Sequence, residues 1–204
     1  MNTKAHWEAV YRAKAPEAVS WYRPHLERSL ALIEHSGDPS ASVIDIGGGQ
    51  STLVDDLLAR GFHNLTILDI SEAALEVTKQ RLGEKARHIR WIAGDVTQIE
   101  LPAHTYDIWH DRAAFHFLTS EMQRAAYVQQ AIRAIRPGGH LVLGTFAVNG
   151  PSRCSGLEVI RYSAESLAQE LGEHFRLVER AEEMHHTPNG VTQPFTYARF
   201  QARA

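Results

Sequence analysis

Residues 43–51 read Val-Ile-Asp-Ile-Gly-Gly-Gly-Gln-Ser, an apolar run that passes through an acid into three glycines. This pattern predicts a buried parallel strand that turns sharply into a helix. Gly47 and Gly49 suit such a turn, because the backbone bends tightly there and lets a ligand approach without a Cβ in the way. The stretch therefore predicts a ligand at the carboxyl end of this strand.

A second apolar run, residues 65–69, ends at Asp69, twenty residues after Gly49. An acid at this distance from a glycine turn suits the two hydroxyl groups of a ribose. Parallel strands bring their carboxyl ends to one edge of a sheet. The two stretches together therefore predict a nucleoside-containing ligand at that edge.

The glycine turn departs from the dinucleotide-binding fingerprint, which requires Gly or Ala where this chain has Thr52. The pattern present, Asp45-x-Gly47-x-Gly49-x-Ser51, resembles the first motif of class I S-adenosylmethionine-dependent methyltransferases, with Ser51 in place of the commonest third glycine. Three later stretches resemble motifs of the same family in the same order, and they are Trp91–Val96, Tyr106–Asp111 and Arg136–Leu143.

The resemblance covers residues 40–148 and implies S-adenosyl-L-methionine as the cofactor. It implies that Asp69 binds the ribose, that Asp95 accepts from the adenine amino group, and that Asp111 lies near the cofactor's ammonium group. Taken singly, Asp69 and Asp95 would also suit helix starts, where acids are common. The residues that we expect to contact the cofactor are Asp45, Gly47, Gly48, Gly49, Ser51, Asp69, Ile70, Asp95, Val96, Asp111 and Trp21.

Strand and helix patterns alternate along the chain, which predicts an α/β, doubly wound, mostly parallel sheet with helices on both faces. The strands are expected near residues 43–46, 65–69, 88–93, 105–110, 140–146, 175–183 and 195–201. The resemblance implies seven strands in the order 3-2-1-4-5-7-6, with the last strand antiparallel. We expect one methyltransferase domain over residues 1–204, with a helical lid segment at 1–36, a cofactor-binding core at 40–148 and an acceptor-side region at 149–204.

Length and composition describe an ordinary globular domain, with 204 residues, 44% hydrophobic and 22% charged. The formal net charge of -3 gives no basic footprint for nucleic acid. No apolar run approaches the ~20 residues that span a bilayer. Residues 1–7 contain no hydrophobic signal segment, and the single Cys154 excludes an internal disulfide. We therefore expect a cytoplasmic monomer or homodimer with no nucleic-acid or membrane partner.

Residues 110–118 carry the candidates for catalysis, because this segment borders the methionine end of the cofactor in similar enzymes. Methyl transfer is an in-line displacement that needs an aligned acceptor, and a base only if the acceptor must lose a proton. By position, His116 is the best candidate for that base, and Asp111 is the second candidate catalytic residue. A packed histidine is the alternative interpretation of His116.

The amino-terminal segment is rich in aromatic residues, namely Trp7, Tyr11, Trp21 and Tyr22. Aromatic faces attract a sulfonium or an electron-poor acceptor, so these residues suit a lid over the cofactor. Trp7 and Tyr11 lie four residues apart and would equally suit one helix face packed on the sheet.

The chain has twelve histidines, which could suggest a metal site. None of them shows the short fixed ligand spacing of a zinc site, so we expect no metal.

We expect a methyltransferase that acts on a small-molecule acceptor. The Asn/Asp-Pro-Pro-aromatic motif of nucleic-acid amino methylators is missing, and residues 110–113 stand in its place. The alternatives are a protein-lysine methyltransferase on the same fold, a non-catalytic cofactor-binding module and, last, a nicotinamide oxidoreductase.

Overall fold

The computed structural model describes residues 3–203, and its centre is a seven-stranded sheet. The strands are β1 Ser42–Ile46, β2 Asn64–Asp69, β3 Ile89–Ala93, β4 Tyr106–Arg112, β5 Ile135–Phe146, β8 Phe175–His186 and β9 Thr192–Ala202, with the small hairpin of β6 Arg153–Cys154 and β7 Leu157–Glu158 outside the sheet. Their order is β3-β2-β1-β4-β5-β9-β8. Strands β1 to β5 run parallel to one another, and β9 runs antiparallel to both β5 and β8. The predicted fold class and strand order are confirmed.

The α-helices are α1 Thr3–Ala13, α2 Glu27–Glu34, α3 Leu53–Ala59, α4 Glu72–Leu82, α5 Glu121–Ala134 and α6 Ala164–Leu171. Side chains alternate between the two faces of a strand, so β1 supplies both cores. Val43 packs in the core that contains residues of α2, α3 and α4. Ile44 and Ile46 pack in the other core, with residues of α5 and α6. Helices therefore cover both faces, which leaves the carboxyl edge of the sheet as the place for a ligand.

Some boundaries differ from the sequence prediction. Strand β5 begins at Ile135 rather than near residue 140, and it bends at Gly138, where φ is 79°. The glycine conformation lets the expected Pro-Gly-Gly turn continue directly into the sheet. The loop after β5 contains the hairpin β6–β7, which the sequence pattern did not predict. Within residues 3–203 no helix is long and apolar enough to cross a membrane.

Candidate active site

The turn after β1 is built by its glycines. Gly47 has φ of 70°, and its N–H donates to the carbonyl of Leu68 on β2 at 2.7 Å. A Cβ on Gly47 would lie 2.8 Å from the Cβ of Ala114, and one on Gly49 would lie 2.6 Å from Oδ2 of Asp69. Both contacts are shorter than real Cβ atoms show, so the turn depends on glycine for internal packing as well as for ligand access.

Two adjoining cavities lie at the carboxyl edge of the sheet. The main cavity, of about 150 Å³, has a nucleoside end lined by Leu68, Asp69, Ile70, Gly94, Asp95 and Val96. Its other end, which we call the aromatic end, is lined by Trp7, Tyr11, Trp21, Arg112, Phe117 and Cys154. The small chamber, of about 40 Å³, is lined in part by Gly47, Gly48, Gln50, Ser51, Arg23, Asp45, His110 and Arg112. Of the three glycines in the turn, Gly49 borders neither cavity.

Asp69 ends β2 at the wall of the main cavity and is buried. Its Oδ1 accepts from the backbone N–H of Ser71 at 2.8 Å, and its Oδ2 accepts from that of Gly49 at 3.0 Å. Burial raises the pKa of Asp69 to about 7, against the lowering effect of those two hydrogen bonds. Each carboxylate oxygen keeps a lone pair for another donor, so the group suits ligand hydroxyls.

Asp95 and Val96 follow β3 and line the same end of the cavity. Oδ1 of Asp95 accepts from the backbone N–H of Thr97 at 2.9 Å and from its hydroxyl at 2.7 Å. These bonds hold the carboxylate at the cavity wall, about one strand away from Asp69. The two acids are thereby brought to one end, as the spacing of the motifs predicts.

Asp45 forms a buried pair behind the glycine turn. Its Oδ1 lies 2.7 Å from Nδ1 of His110, and Nε2 of His110 lies 2.9 Å from Oγ of Ser29. All three side chains are buried, and Asp45 and His110 line the small chamber. The sequence analysis did not predict that His110 pairs with Asp45. The parallel register of β1 and β4 places them directly opposite each other.

Asp111 lies behind the cavity lining and is fully buried. Its oxygens accept from the backbone N–H groups of Ala114 at 2.9 Å and Phe115 at 3.0 Å, and from the hydroxyl of Tyr127 at 2.8 Å. Burial raises the pKa of Asp111 to about 6. These contacts assign Asp111 to holding the segment after β4, and its predicted contact with the cofactor's ammonium group stays a prediction.

His116 is fully buried and borders neither of the two cavities. Its Nδ1 lies 3.4 Å from the backbone nitrogen of Phe146, and its Nε2 is buried without a hydrogen-bond partner. Burial, with a smaller effect of Arg112, lowers the pKa of His116 to about 3. This placement favours the packed histidine of the two interpretations. A role for His116 as a base stays an untested prediction.

The aromatic end is covered by α1. The ring of Trp7 lies 4.9 Å from that of Phe117 and 5.8 Å from that of Trp21, both edge to face. Oε1 of Glu8 accepts from the backbone N–H groups of Glu72 at 2.7 Å and Ala73 at 3.4 Å, which fastens α1 to the first turn of α4. Trp7 thus both packs and lines the cavity, so the two interpretations of this face are compatible.

Arg112 and Cys154 were not predicted as site residues, although both line the aromatic end. Arg112 is the last residue of β4. Its position beside Asp111 at the end of a parallel strand is the sequence feature that could have indicated it as a site residue. Burial raises the pKa of the Cys154 thiol to about 11. Across the described chain, residues 3–203, no group of three His, Cys, Asp or Glu side chains is placed to hold a metal ion.

The conserved pattern of one known family, described as "Methyltransferase domain", matches residues 43–139. This range begins at β1 and contains the glycine turn, Asp69, Asp95 and β4. Residues 43–139 therefore match a methyltransferase domain, and the strand order is the one that the resemblance to class I S-adenosylmethionine-dependent methyltransferases implies.

The methyltransferase domain is similar to proteins with different acceptors. It is 27% identical over 124 residues to the eEF1A lysine and N-terminal methyltransferase of Mus musculus, a match over 61% of this chain but 18% of that protein's length. A solved structure from work on the conversion of a disulfide bond into a thioacetal group during echinomycin biosynthesis has a TM-score of 0.78 at 18% identity, over 99% of this chain and 93% of that one.

A second solved structure is the 1,6-didemethyltoxoflavin-N1-methyltransferase of Burkholderia thailandensis with bound 1,6-didemethyltoxoflavin and S-adenosylhomocysteine. It has a TM-score of 0.74 at 20% identity, over 98% of this chain and 87% of that one. At these identities the two structural similarities establish the fold and not the acceptor.

Proposed function

We propose that this chain transfers the methyl group of S-adenosyl-L-methionine to a small, flat acceptor at the aromatic end of the main cavity. The enclosure of that end carries the proposal. The ring of Trp7, on α1, meets those of Trp21 and Phe117 edge to face, and such walls favour a planar molecule. Nitrogen heterocycles, phenols and aromatic thiols have this shape.

The residues of the nucleoside end fit the cofactor. Asp69 carries free lone pairs beside the cavity, and Gly47 keeps the turn open where a Cβ would meet Ala114. When bound, S-adenosylmethionine supplies a methyl group on a sulfonium, which needs no further activation. The acids of the nucleoside end hold the ligand, and the covered aromatic end excludes water from the acceptor.

Among the described residues, the aromatic end supplies no base that works near neutral pH. Burial raises the pKa of Tyr11 well above its ordinary value, and it raises that of Cys154 to about 11, so both groups stay protonated. The acceptor atom therefore enters as a nucleophile in its own right. Its lone pair would form the new bond to the methyl carbon as the sulfur–methyl bond breaks toward sulfur. Any proton would be lost to solvent outside the covered end, before the acceptor enters or after the product leaves.

A protein-lysine acceptor is the second candidate, because aromatic rings also accommodate an ammonium group and the curated relative carries lysine methylation in its name. Two features oppose it here. Helix α1 lies over the aromatic end. Arg112, whose Nη2 is buried, lines the same end, and its positive charge would repel a lysine ammonium.

The test is to incubate the purified protein and methyl-labelled S-adenosylmethionine with the two fractions of a cell extract, separated by size. We expect label in the small-molecule fraction, in products that a reversed-phase column retains as it retains aromatic compounds. The Gly47→Ala variant, whose turn is disturbed, is the background control. Label found in protein bands alone would overturn the proposed acceptor class.

A further inference from the structure

Trp21 reaches the aromatic end from a segment without regular structure. Residues 19–24 belong to no helix or strand, and α2 begins shortly after them. Trp21 lines both cavities, and its indole lies edge to face against the ring of Tyr11 at 6.0 Å. Because no helix or strand ladder fixes this segment, the orientation of the indole depends on contacts that the segment makes with the rest of the fold.

Two consecutive carbonyl groups of the segment accept hydrogen bonds from side chains of the sheet. Nε2 of His185, on β8, donates to the carbonyl of Ser20 at 2.7 Å. Nη1 of Arg112, at the end of β4, donates to the carbonyl of Trp21 at 3.1 Å. These carbonyls belong to the two planar peptide units on either side of the Cα of Trp21. Both peptide units that set the direction of the indole are therefore held by side chains.

The ring of Phe195, on β9, supports both donors. Its centre lies 5.8 Å from that of the His185 ring, edge to face, and 4.6 Å from the central carbon of the Arg112 guanidinium. Nε of Arg112 also donates to the hydroxyl of Tyr197 at 2.9 Å. The segment is thus fastened to side chains that the sheet itself holds in place.

His185 occupies its buried position at a cost in stability. On the edge strand β8 it is 0% exposed, whereas the preceding Met184 is 57% exposed. Burial lowers the pKa of His185, which keeps the ring neutral near pH 7. Because a carbonyl only accepts, the single N–H lies on Nε2, and Nδ1 is a buried acceptor without a partner among the described residues. Such a group costs about 1–3 kcal/mol, so packing alone would favour an apolar residue here.

We propose that His185 is a positioning residue for methyl transfer, which holds the carbonyl of Ser20 and thereby sets the indole of Trp21 as a wall of the acceptor site. The inference rests on the proposed function, which places the acceptor at the aromatic end. His185 borders neither cavity, so it acts through Trp21 and not on the acceptor itself. A wall that is held in one orientation keeps the acceptor aligned with the methyl group.

The orientation of Trp21 can be followed without an acceptor, by ¹⁹F NMR of protein labelled with 5-fluorotryptophan. The chain has four tryptophans, and the Trp21→Phe spectrum assigns the Trp21 resonance. In His185→Leu, which keeps bulk and removes the donor, we expect the Trp21 resonance to shift or split while those of Trp91 and Trp109 stay in place. His185→Gln should keep the wild-type resonance, because its amide nitrogen can donate from nearly the position of Nε2.

His186→Leu is the matched control, because this exposed neighbour on β8 contacts the hydroxyl of Thr192 at 3.2 Å and not the segment. Should His185→Leu fail to fold, His185→Asn replaces it, since its amide nitrogen lies one bond nearer the backbone. A variant with a lowered thermal midpoint and an unchanged Trp21 resonance overturns the inference, because His185 then serves stability alone. A Trp21 resonance displaced equally in His185→Gln overturns it as well.

Turnover on the small-molecule fraction of the extract separates the inference from the proposed function. With methyl-labelled S-adenosylmethionine, His185→Leu should need about three- to tenfold more of this fraction for half-maximal rate, the equivalent of one hydrogen bond, and His185→Gln should restore the wild-type value. The rate at saturation should fall by a smaller factor. Equal half-saturation in the wild type and His185→Leu overturns the inference. A wild-type protein that labels nothing in this fraction, yet shows the ¹⁹F response, overturns the proposed function and supports the hold of His185 on Trp21.

Discussion

Asp69→Asn should weaken the binding of S-adenosylhomocysteine and remove most of its pH dependence. In the wild type, burial raises the pKa of Asp69 to about 7, and nearby Asp45 and Glu8 add to the effect. Each oxygen of Asp69 already accepts one backbone N–H. Only the ionised carboxylate can accept a further hydrogen bond at both oxygens, because protonation of one oxygen lowers the number of hydrogen bonds it can accept. The ionised fraction grows as the pH rises through 7, so the affinity should rise with pH over the same window.

The size of the effect follows from that pKa. With a pKa of 7, the carboxyl group is about 10% ionised at pH 6 and about 90% ionised at pH 8, so the affinity should rise about tenfold, or roughly 1.4 kcal/mol. Asp69→Asn removes charge-assisted hydrogen bonds and should cost about 1.5–3 kcal/mol at pH 8. The affinity of the variant should then be nearly flat from pH 6 to 8.

Isothermal titration calorimetry between pH 6 and 8.5 measures the affinity of both proteins and its dependence on pH. Repeating the titration at pH 7 in buffers of different ionisation heat gives the number of protons released on binding. We expect a release of about half a proton by the wild type at pH 7, since the bound ligand holds Asp69 ionised. Asp95→Asn is the matched control, which should lose affinity and keep the pH slope. A wild-type affinity that does not change between pH 6 and 8 would refute the reasoning.

Three further predictions concern the turn, the buried histidine and the lid. Gly47→Ala should abolish measurable S-adenosylhomocysteine binding, whereas Gly83→Ala, with φ of 57° and no atom within 4 Å of a new Cβ, should bind normally in the same calorimetry. His116→Gln should lower the thermal midpoint but change turnover by less than about tenfold, below the range for a positioned base, because a ring with a pKa near 3 takes up a proton poorly near neutral pH. A loss of a hundredfold would support His116 as the base. Glu8→Gln should loosen the contact of α1 with α4, raising the KM for the acceptor more than the affinity for S-adenosylhomocysteine changes, and an unchanged KM would remove α1 from the acceptor site.

The positions of the nucleoside-end residues could be predicted from the sequence because each is fixed by local pattern. The apolar run that ends at Asp69 predicts, from local sequence alone, that this acid lies at the carboxyl end of a strand. The same holds for Asp95 after β3. A parallel sheet brings such strand ends to one edge, so the cavity followed from the topology.

The orientation of side chains after β4 could not be predicted in the same way. His116 and Arg112 are four residues apart, yet one is buried away from both cavities and the other borders both. Between them Ala113 has a left-handed conformation, with φ of 68°, which its residue type does not signal, since Gly or Asn would be expected there. The pairing of His110 with Asp45 depends on the register between β1 and β4. These strands are neighbours in the sheet but far apart in the sequence, and the sequence pattern does not specify their register.

A crystal structure of the protein with S-adenosylhomocysteine would test the central claim most directly, namely that the cofactor's sulfur faces the aromatic end beneath α1. The account predicts ribose hydroxyls on Asp69, adenine beside Asp95 and the sulfur toward the ring cluster of Trp7 and Trp21. A complex in which the sulfur points away from these rings, or in which the nucleoside lies elsewhere than between Asp69 and Asp95, would contradict it.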